Sequence, residues 1–249
     1  EEGWGLGIMV NDFNQDGWPD VYCANDFLSS DQLYVNQQDG TFRNEISTWM
    51  NHQEFNGMGA DMADLNNDAL NDLVVVDMMP DDNLRQKTMF SWMGYERFMK
   101  SLHLNYRPQY IRNVLQRNNG NNTFSDIGYQ SGIYATDWSW SPLIADFDND
   151  GLRDIFISNG YLKDITDLDF VTYNQDVTMF GTDSLKKKNP AKALKELGGV
   201  FKPDFIFQNK GDFQFENVGK FWGLSEPGYS NGAAYADFDN HGDLGLILN

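Results

Sequence analysis

Asp12, Asn14, Asp16 and Asp20 put oxygen-bearing side chains at the first, third, fifth and ninth places of one short stretch, with the Trp18 carbonyl available at the seventh. The spacing returns in Asp64, Asn66, Asp68 and Asp72 with the Leu70 carbonyl, and again in Asp146, Asp148, Asp150 and Asp154 with the Leu152 carbonyl. Such spacing curls a loop round one hard cation, and an all-oxygen donor set without sulfur or imidazole selects Ca²⁺ over Zn²⁺ or Cu²⁺. Gly17 and Gly151 at the sixth place allow the sharp turn, whereas Ala69 stands there in the second copy and predicts a strained turn and a weaker site. The third loop, with four carboxylates, is expected to bind tightest. A fourth copy opens with Asp237 and Asp239, but His241 and Gly245 replace its fifth and ninth ligands. Too few oxygens remain there for a metal to be assigned.

An EF-hand opens with the same spacing but needs a bidentate Glu at the twelfth place and a helix on each side. The twelfth residues are Cys23, Val75 and Ile157, and the runs after the loops, Val21–Ala24, Leu73–Val76 and Ile155–Ser158, are short, β-branched or aromatic. These are strand patterns. A plain Asp/Asn/Gly turn is the bland alternative, but three copies that agree at four ligand places favour calcium.

The elements that must position these loops follow from the repeat. Trp4–Val10 reads as a strand entering the first loop, Val21–Ala24 as a second, Gln32–Asn36 as a third and Thr41–Asn44 as a fourth. Asn36, Asn118 and Asn209 each precede a Phe (Phe42, Phe124, Phe215) across a Gly-containing hairpin. The fold class is therefore all-β, a β-propeller of four-stranded antiparallel blades with calcium loops between the first and second strands. The repeats span approximately residues 3–56, 57–137, 138–229 and a truncated 230–249, about three and a half blades in one partial propeller over 1–249. Two partly helical insertions, 78–112 and 159–203, separate the second and third strands of the later units. The first carries Leu84, Met89, Trp92, Met93, Met99 and Leu102 at mostly helical spacing after an Asp81/Asp82 cap, expected to pack on the propeller; the second predicts a short helix over Pro190–Leu197.

The 18 basic and 37 acidic residues give a formal charge of −19, which three divalent ions would only partly offset. Nucleic acid is excluded as a partner on that balance. Lone Cys23 aligns with Val75 and Ile157 and is expected to be a buried apolar residue. The three histidines are scattered, and no zinc motif, nucleophile elbow or phosphate-binding Gly loop is present. No signal peptide, lipid-anchor motif or membrane-length apolar run is present either, and too few blades for closure suggest an excerpt of a longer protein.

At Gly5-x-Gly7, Asn11–Asp20, Asn25-Asp26-Phe27, Thr136–Trp140 and Ser230–Tyr235, the chain resembles the FG-GAP/VCBS repeats of integrin-like propellers. It resembles more closely the bacterial cartilage-acidic-protein-like proteins that also carry an ASPIC/UnbV domain. The resemblance implies an exported protein, secreted or held at a bacterial cell surface as an outer-membrane lipoprotein. It also implies a module that recognises an extracellular protein or glycan or acts as a scaffold. A carbohydrate-active lyase or hydrolase on the same scaffold and a passive spacer are the alternatives. Strand order predicts calcium on one face of the propeller and both insertions on the other. Link aromatics Trp49, Phe55, Tyr129, Tyr134, Phe221, Trp222 and Tyr229 are expected to supply a binding surface beside the insertions.

Overall fold

A computed structural model describes residues 3–89, 94–180 and 194–249. The chain is mostly β, with three four-stranded antiparallel sheets and a closing hairpin. The first sheet is β1 (Trp4–Asn11), β2 (Asp20–Asp26), β3 (Gln32–Asn36) and β4 (Phe42–Asn44) in sequence order. A one-turn helix α1 (Ile46–Trp49) and the short β5 (Gln53–Glu54) lead to β6 (Gly59–Ala63) and β7 (Asp72–Val76). The first insertion then supplies α2 (Asn83–Thr88), α3 (Tyr95–His103) and β8 (Gln109–Tyr110). It ends in β9 (Val114–Asn118) and β10 (Phe124–Asp126), which complete the second sheet. After α4 (Gly128–Ser131), the third sheet comprises β11 (Ser139–Ala145), β12 (Asp154–Asn159), β13 (Phe205–Asn209) and β14 (Phe215–Asn217). The second insertion carries α5 (Leu168–Phe180), and β15 (Ala233–Ala236) pairs with β16 (Gly245–Leu248).

These sheets are β-propeller blades packed face to face. A strand buried on both faces is apolar along its run, and β7 is so over 73–76, after the loop carboxylate Asp72. Its Leu73 and Val75 enter the core shared with the first sheet, around Tyr22, Leu33 and Phe124. Its Val74 and Val76 enter the core shared with the third, around Ile155, Ile157 and Phe207. Phe156 of β12 points the other way, into the layer beneath β16. Cys23 is only half-buried, because its face of the first sheet has no neighbouring sheet among the described residues. The same free face of β1 exposes Ile8 and Val10, and Trp4 and Leu6 beside the β1 bulge are exposed as well.

The first strands run side by side, β1 against β6 and β6 against β11. Their closeness needs glycine: a Cβ on Gly7 would lie 3.1 Å from Gly59 Cα, and one on Gly59 would lie 2.3 Å from the Trp140 carbonyl oxygen.

The insertions meet the rest of the chain as the strand order predicts. β5 in the first inter-blade link pairs in parallel with β8 at the end of the first insertion. The two insertions are joined by salt bridges, Arg85 with Asp164 and Lys202 with Asp81 and Asp82 at 3.0 Å each, and Arg85 also bonds Asp137 in the link before β11 at 2.7 Å. Asp82 caps α2 by accepting the Arg85 N–H, as expected. The expected apolar stripe is not buried: Leu84 is 74% exposed, and Met99 and Leu102 are only half-buried. Trp92, Met93 and the start of the helix expected over 190–197 lie outside the described residues, and a helical turn is seen at 194–196. α5 is a helix the sequence pattern did not predict; Asp167 caps it by accepting the Phe170 N–H at 2.8 Å. Among the described residues no helix is long and apolar enough to cross a membrane.

Candidate metal centres

Each repeat loop is built by its first Asp. Asp12 accepts the Asp16 and Gly17 N–H groups at 3.1 and 2.7 Å, and Asp64 those of Asp68 and Ala69 at 3.1 and 2.8 Å. Asp146 does the same for Asp150 and Gly151 at 3.1 and 2.9 Å. The fifth residue then accepts the N–H of the seventh: Asp16 from Trp18, Asp68 from Leu70 and Asp150 from Leu152. Two residues per loop sit in the left-handed region. The fourth is Gln15, Asn67 or Asn149, with φ between 58° and 60°. The sixth is Gly17 (86°), Ala69 (68°) or Gly151 (89°). Ala69 carries a Cβ where glycine is favoured, at a cost of about 1 kcal/mol or more. Ala69→Gly relieves that strain but adds freedom to the unfolded chain. The net expectation is a stabilisation of roughly 0.5 to 1 kcal/mol in denaturant melts without metal, with calcium affinity raised at this loop.

The ninth residue of each loop ties it to the blade. Asp20, Asp72 and Asp154 are fully buried. Asp20 accepts N–H groups from Phe13 and Asn36, Asp72 from Leu65 and Asn118, and Asp154 from Phe147 and Asn209. So the loop after the first strand and the end of the third share one carboxylate. Burial pushes Asp72 up to about 7, against the pull of its two hydrogen bonds and with the added push of Asp68 and Asp64. Burial likewise raises Asp154 to about 6, with Asp148 and Asp150 adding to it. A divalent cation would relieve this repulsion, and the all-oxygen donor set suits calcium. In the third loop Asp146, Asp148 and Asp154 already bring one oxygen each within 4.8 Å of the others. In the first two, the third-place Asn donates to the fifth-place carboxylate, Asn14 to Asp16 at 3.0 Å and Asn66 to Asp68 at 2.9 Å. A calcium ion held there would have to displace protons from the raised carboxylates. Affinity is therefore expected to fall as pH drops through about 7 at the second loop and about 6 at the third. Calorimetric titrations at low and high pH would read this.

Neighbouring loops are stitched together. Gln15 donates to the Ala69 carbonyl, Asn67 to that of Gly151 at 3.1 Å, and Arg153 to that of Asp64 at 2.8 Å. In the fourth copy Asp237 holds the turn through the His241 and Gly242 N–H groups. The oxygens and imidazole that converge there belong instead to exposed Asp239, His241 and Asp243. A further acidic group, Asp81, Asp82 and Asp137, has the Lys202 ammonium within 3.0 to 3.8 Å of all three. Lysine supplies the positive charge at that place.

Sequence reasoning missed a polar layer at the other end of the blades. The end of each second strand donates to a side chain just before the third: Asn25 to Asp31 at 2.8 Å, Asp77 to Asn113 at 2.8 Å and Asn159 to Asp204 at 2.7 Å. Acid and amide exchange places in the second blade, a swap visible once the repeats are aligned. Fully buried Asp31 also accepts from the Tyr22 hydroxyl and faces Glu54, whose two oxygens are buried without a hydrogen-bond donor. Burial, then the Asp31 charge, pushes Glu54 well above the usual carboxylate range. This favours the protonated form of Glu54 in the fold, so the stability it contributes is full below its unfolded pKa and lost as pH rises through the folded one. Glu54→Gln mimics the protonated form. Its advantage over the parent should grow by about 1.4 kcal/mol per pH unit above pH ~5 in urea melts.

The link aromatics divide. Trp49 and Phe55 are buried, and Trp49, stacked on Phe124 at 6.4 Å, caps a blade. Tyr129 and Phe221 are 59% and 80% exposed, and Trp222 and Tyr229 are each at 36%. Tyr134 packs on Tyr129 at 4.5 Å, and the Arg112 guanidinium lies 4.7 Å from the Tyr129 ring. His52 Nε2 lies 2.7 Å from Asp126, which also pairs with the Arg112 guanidinium, tying a link to β10. Thr136–Trp140 is likewise structural: Asn113 and Asn159 both donate to Thr136 at 2.6 Å.

The FG-GAP-like repeat model matches residues 12–75 and 107–157. The unmatched stretch between them coincides with most of the first insertion, and the matched stretches contain all three loops. No curated protein matches the chain.

Proposed function

From a chain that carries FG-GAP-like repeats folded as propeller blades, we propose a calcium-stiffened recognition module that works outside the cell, secreted or at a bacterial surface. The observation that carries this is the division of labour between the two ends of the blades. One end holds three stitched carboxylate loops of one design, and the other presents two insertions ion-paired to each other by Arg85 and Lys202. A rigid scaffold with elaborated loops at one end is a common way to build a docking surface. The exposed aromatics Tyr129, Phe221, Trp222 and Tyr229 lie in the links and suit an extracellular protein or glycan. The loops hold the calcium through Asp12, Asn14, Asp16 and Asp20; Asp64, Asn66, Asp68 and Asp72; and Asp146, Asp148, Asp150 and Asp154. The Trp18, Leu70 and Leu152 carbonyls complete each set. The bound ion would supply positive charge and crosslink strands, with no reaction asked of it.

The test is a screen of glycans and envelope proteins against the immobilised chain, repeated with each insertion shortened to a Gly-containing turn. Loss of the captured partner with either shortened form, in protein that still melts cooperatively, supports the reading. A partner kept by both shortened forms but released by changes near Asp39 or Asp212 would place recognition on the calcium end.

A further inference from the structure

Between the loop that follows β2 and helix α3 lies a cavity of about 470 Å³, lined by Phe27, Leu28, Phe55, Leu104 and Tyr106 with Arg97, Lys100 and Ser101. Its volume is within the range that holds small organic ligands, roughly 300 to 1,000 Å³. Three aromatic rings and two leucines make the walls apolar. Phe55 is almost fully buried and tilts against Phe27 at 5.8 Å, which gives the cavity a fixed floor. Leu28, Leu104 and Tyr106 are 43%, 60% and 42% exposed, so apolar surface stands open to water around it.

Two features mark this place, the first of which recurs only at Asp212 and Phe213 among the described residues. Phe27 and Leu28 are consecutive residues with side chains in the left-handed region, at φ 56° and 60°. Each such residue costs on the order of 1 kcal/mol or more, and strain of this kind gathers at ligand sites. The other feature is charge. On a chain of net charge −19, Arg97 and Lys100, one turn apart on α3, line the cavity together.

We propose that this cavity binds a small organic monoanion, an alkyl or aryl carboxylate whose apolar body lies among Phe27, Leu28, Phe55 and Leu104 and whose carboxylate meets Lys100 and Arg97. The inference does not rest on the calcium loops or on the larger partner. An apolar body gains about 25 cal/mol for each Å² it removes from water. The ammonium and guanidinium then select a carboxylate over a neutral or cationic head group. A cationic amphiphile would meet like charge at the rim, so head-group preference separates a built site from general stickiness.

The test is calorimetric titration of the 249-residue chain with decanoate and with 4-phenylbutyrate, against decanol and decyltrimethylammonium as head-group controls. Saturable binding of one carboxylate per chain is expected, at least tenfold tighter than either control. Arg97 and Lys100 are both exposed, so the Arg97→Glu/Lys100→Glu variant should keep its melting temperature and lose at least tenfold in affinity. A second readout needs no variant: methyl resonances of Leu28 and Leu104 should shift with the same saturation curve. Absence of saturable binding by either carboxylate, equal binding of decyltrimethylammonium, an unchanged affinity in the double variant, or unmoved Leu28 and Leu104 methyls would each overturn the proposal.

Discussion

Excess chelator is expected to lower the melting temperature by roughly 10 to 20 °C, with magnesium a poor rescue. Extracellular calcium modules bind with Kd of about 10⁻⁴ M, so ~2 mM calcium stabilises each site by about 1.8 kcal/mol. Three sites give roughly 5 kcal/mol, comparable to a domain's net stability. At this chain length each kcal/mol moves the midpoint by about 2 to 4 °C. Burial and neighbouring carboxylates raise Asp72 and Asp154 towards neutral pH, and a bound cation would relieve that repulsion. Magnesium demands a smaller octahedral shell and gives up its waters reluctantly. An unchanged melt in metal-free protein would show that the loops close on their own hydrogen bonds and need no ion.

Gly59→Ala is expected to destabilise by about 3 kcal/mol, at the upper end of overpacking costs. The added Cβ would meet the Trp140 carbonyl oxygen at 2.3 Å, its carbon at 3.4 Å and Pro142 Cδ at 2.9 Å, and the Trp140 carbonyl is backbone that cannot rotate away. Relief requires β6 and β11 to separate, which opens the core around Val74, Val76 and Ile157. Gly198→Ala is the control, since its Cβ would meet nothing within 4 Å; its change should stay within about 0.5 kcal/mol. Urea melts should show a lower midpoint for Gly59→Ala with an unchanged slope. A shift no larger than the control's would mean that the first strands do not pack through this glycine.

The blades were legible because their information is local and repeated. A strand such as Leu73–Val76 can be apolar at every position only if sheets cover both faces, and the loop spacing marks where each such strand begins. Gly7 and Gly59 were visible as residues, but their role in letting backbones touch depends on strands from different repeats. The insertions were legible mainly as interruptions. α5 contains Val171 and Thr172, whose branched side chains argue against a helix, and its Asp167 cap is a short-range signal easily read as a turn. The methionine and leucine stripe of the first insertion misled because hydrophobic spacing predicts a face, not what covers it; Leu84 faces water. The layer of Asp31, Glu54 and Asp77 comes from three separate segments, and only the fold brings Glu54 against Asp31. Its repeated part, an acid and an amide trading places between Asn25/Asp31 and Asp77/Asn113, could have been found by aligning strand ends.

The most direct test of the central claim is the calcium content of the chain after equilibrium dialysis against millimolar calcium, measured by elemental analysis beside Asp16→Ala, Asp68→Ala and Asp150→Ala. Three ions per chain are expected, one fewer in each variant, with no comparable uptake of magnesium. A chain that carries no calcium under these conditions, or whose content is indifferent to all three substitutions, would contradict that claim.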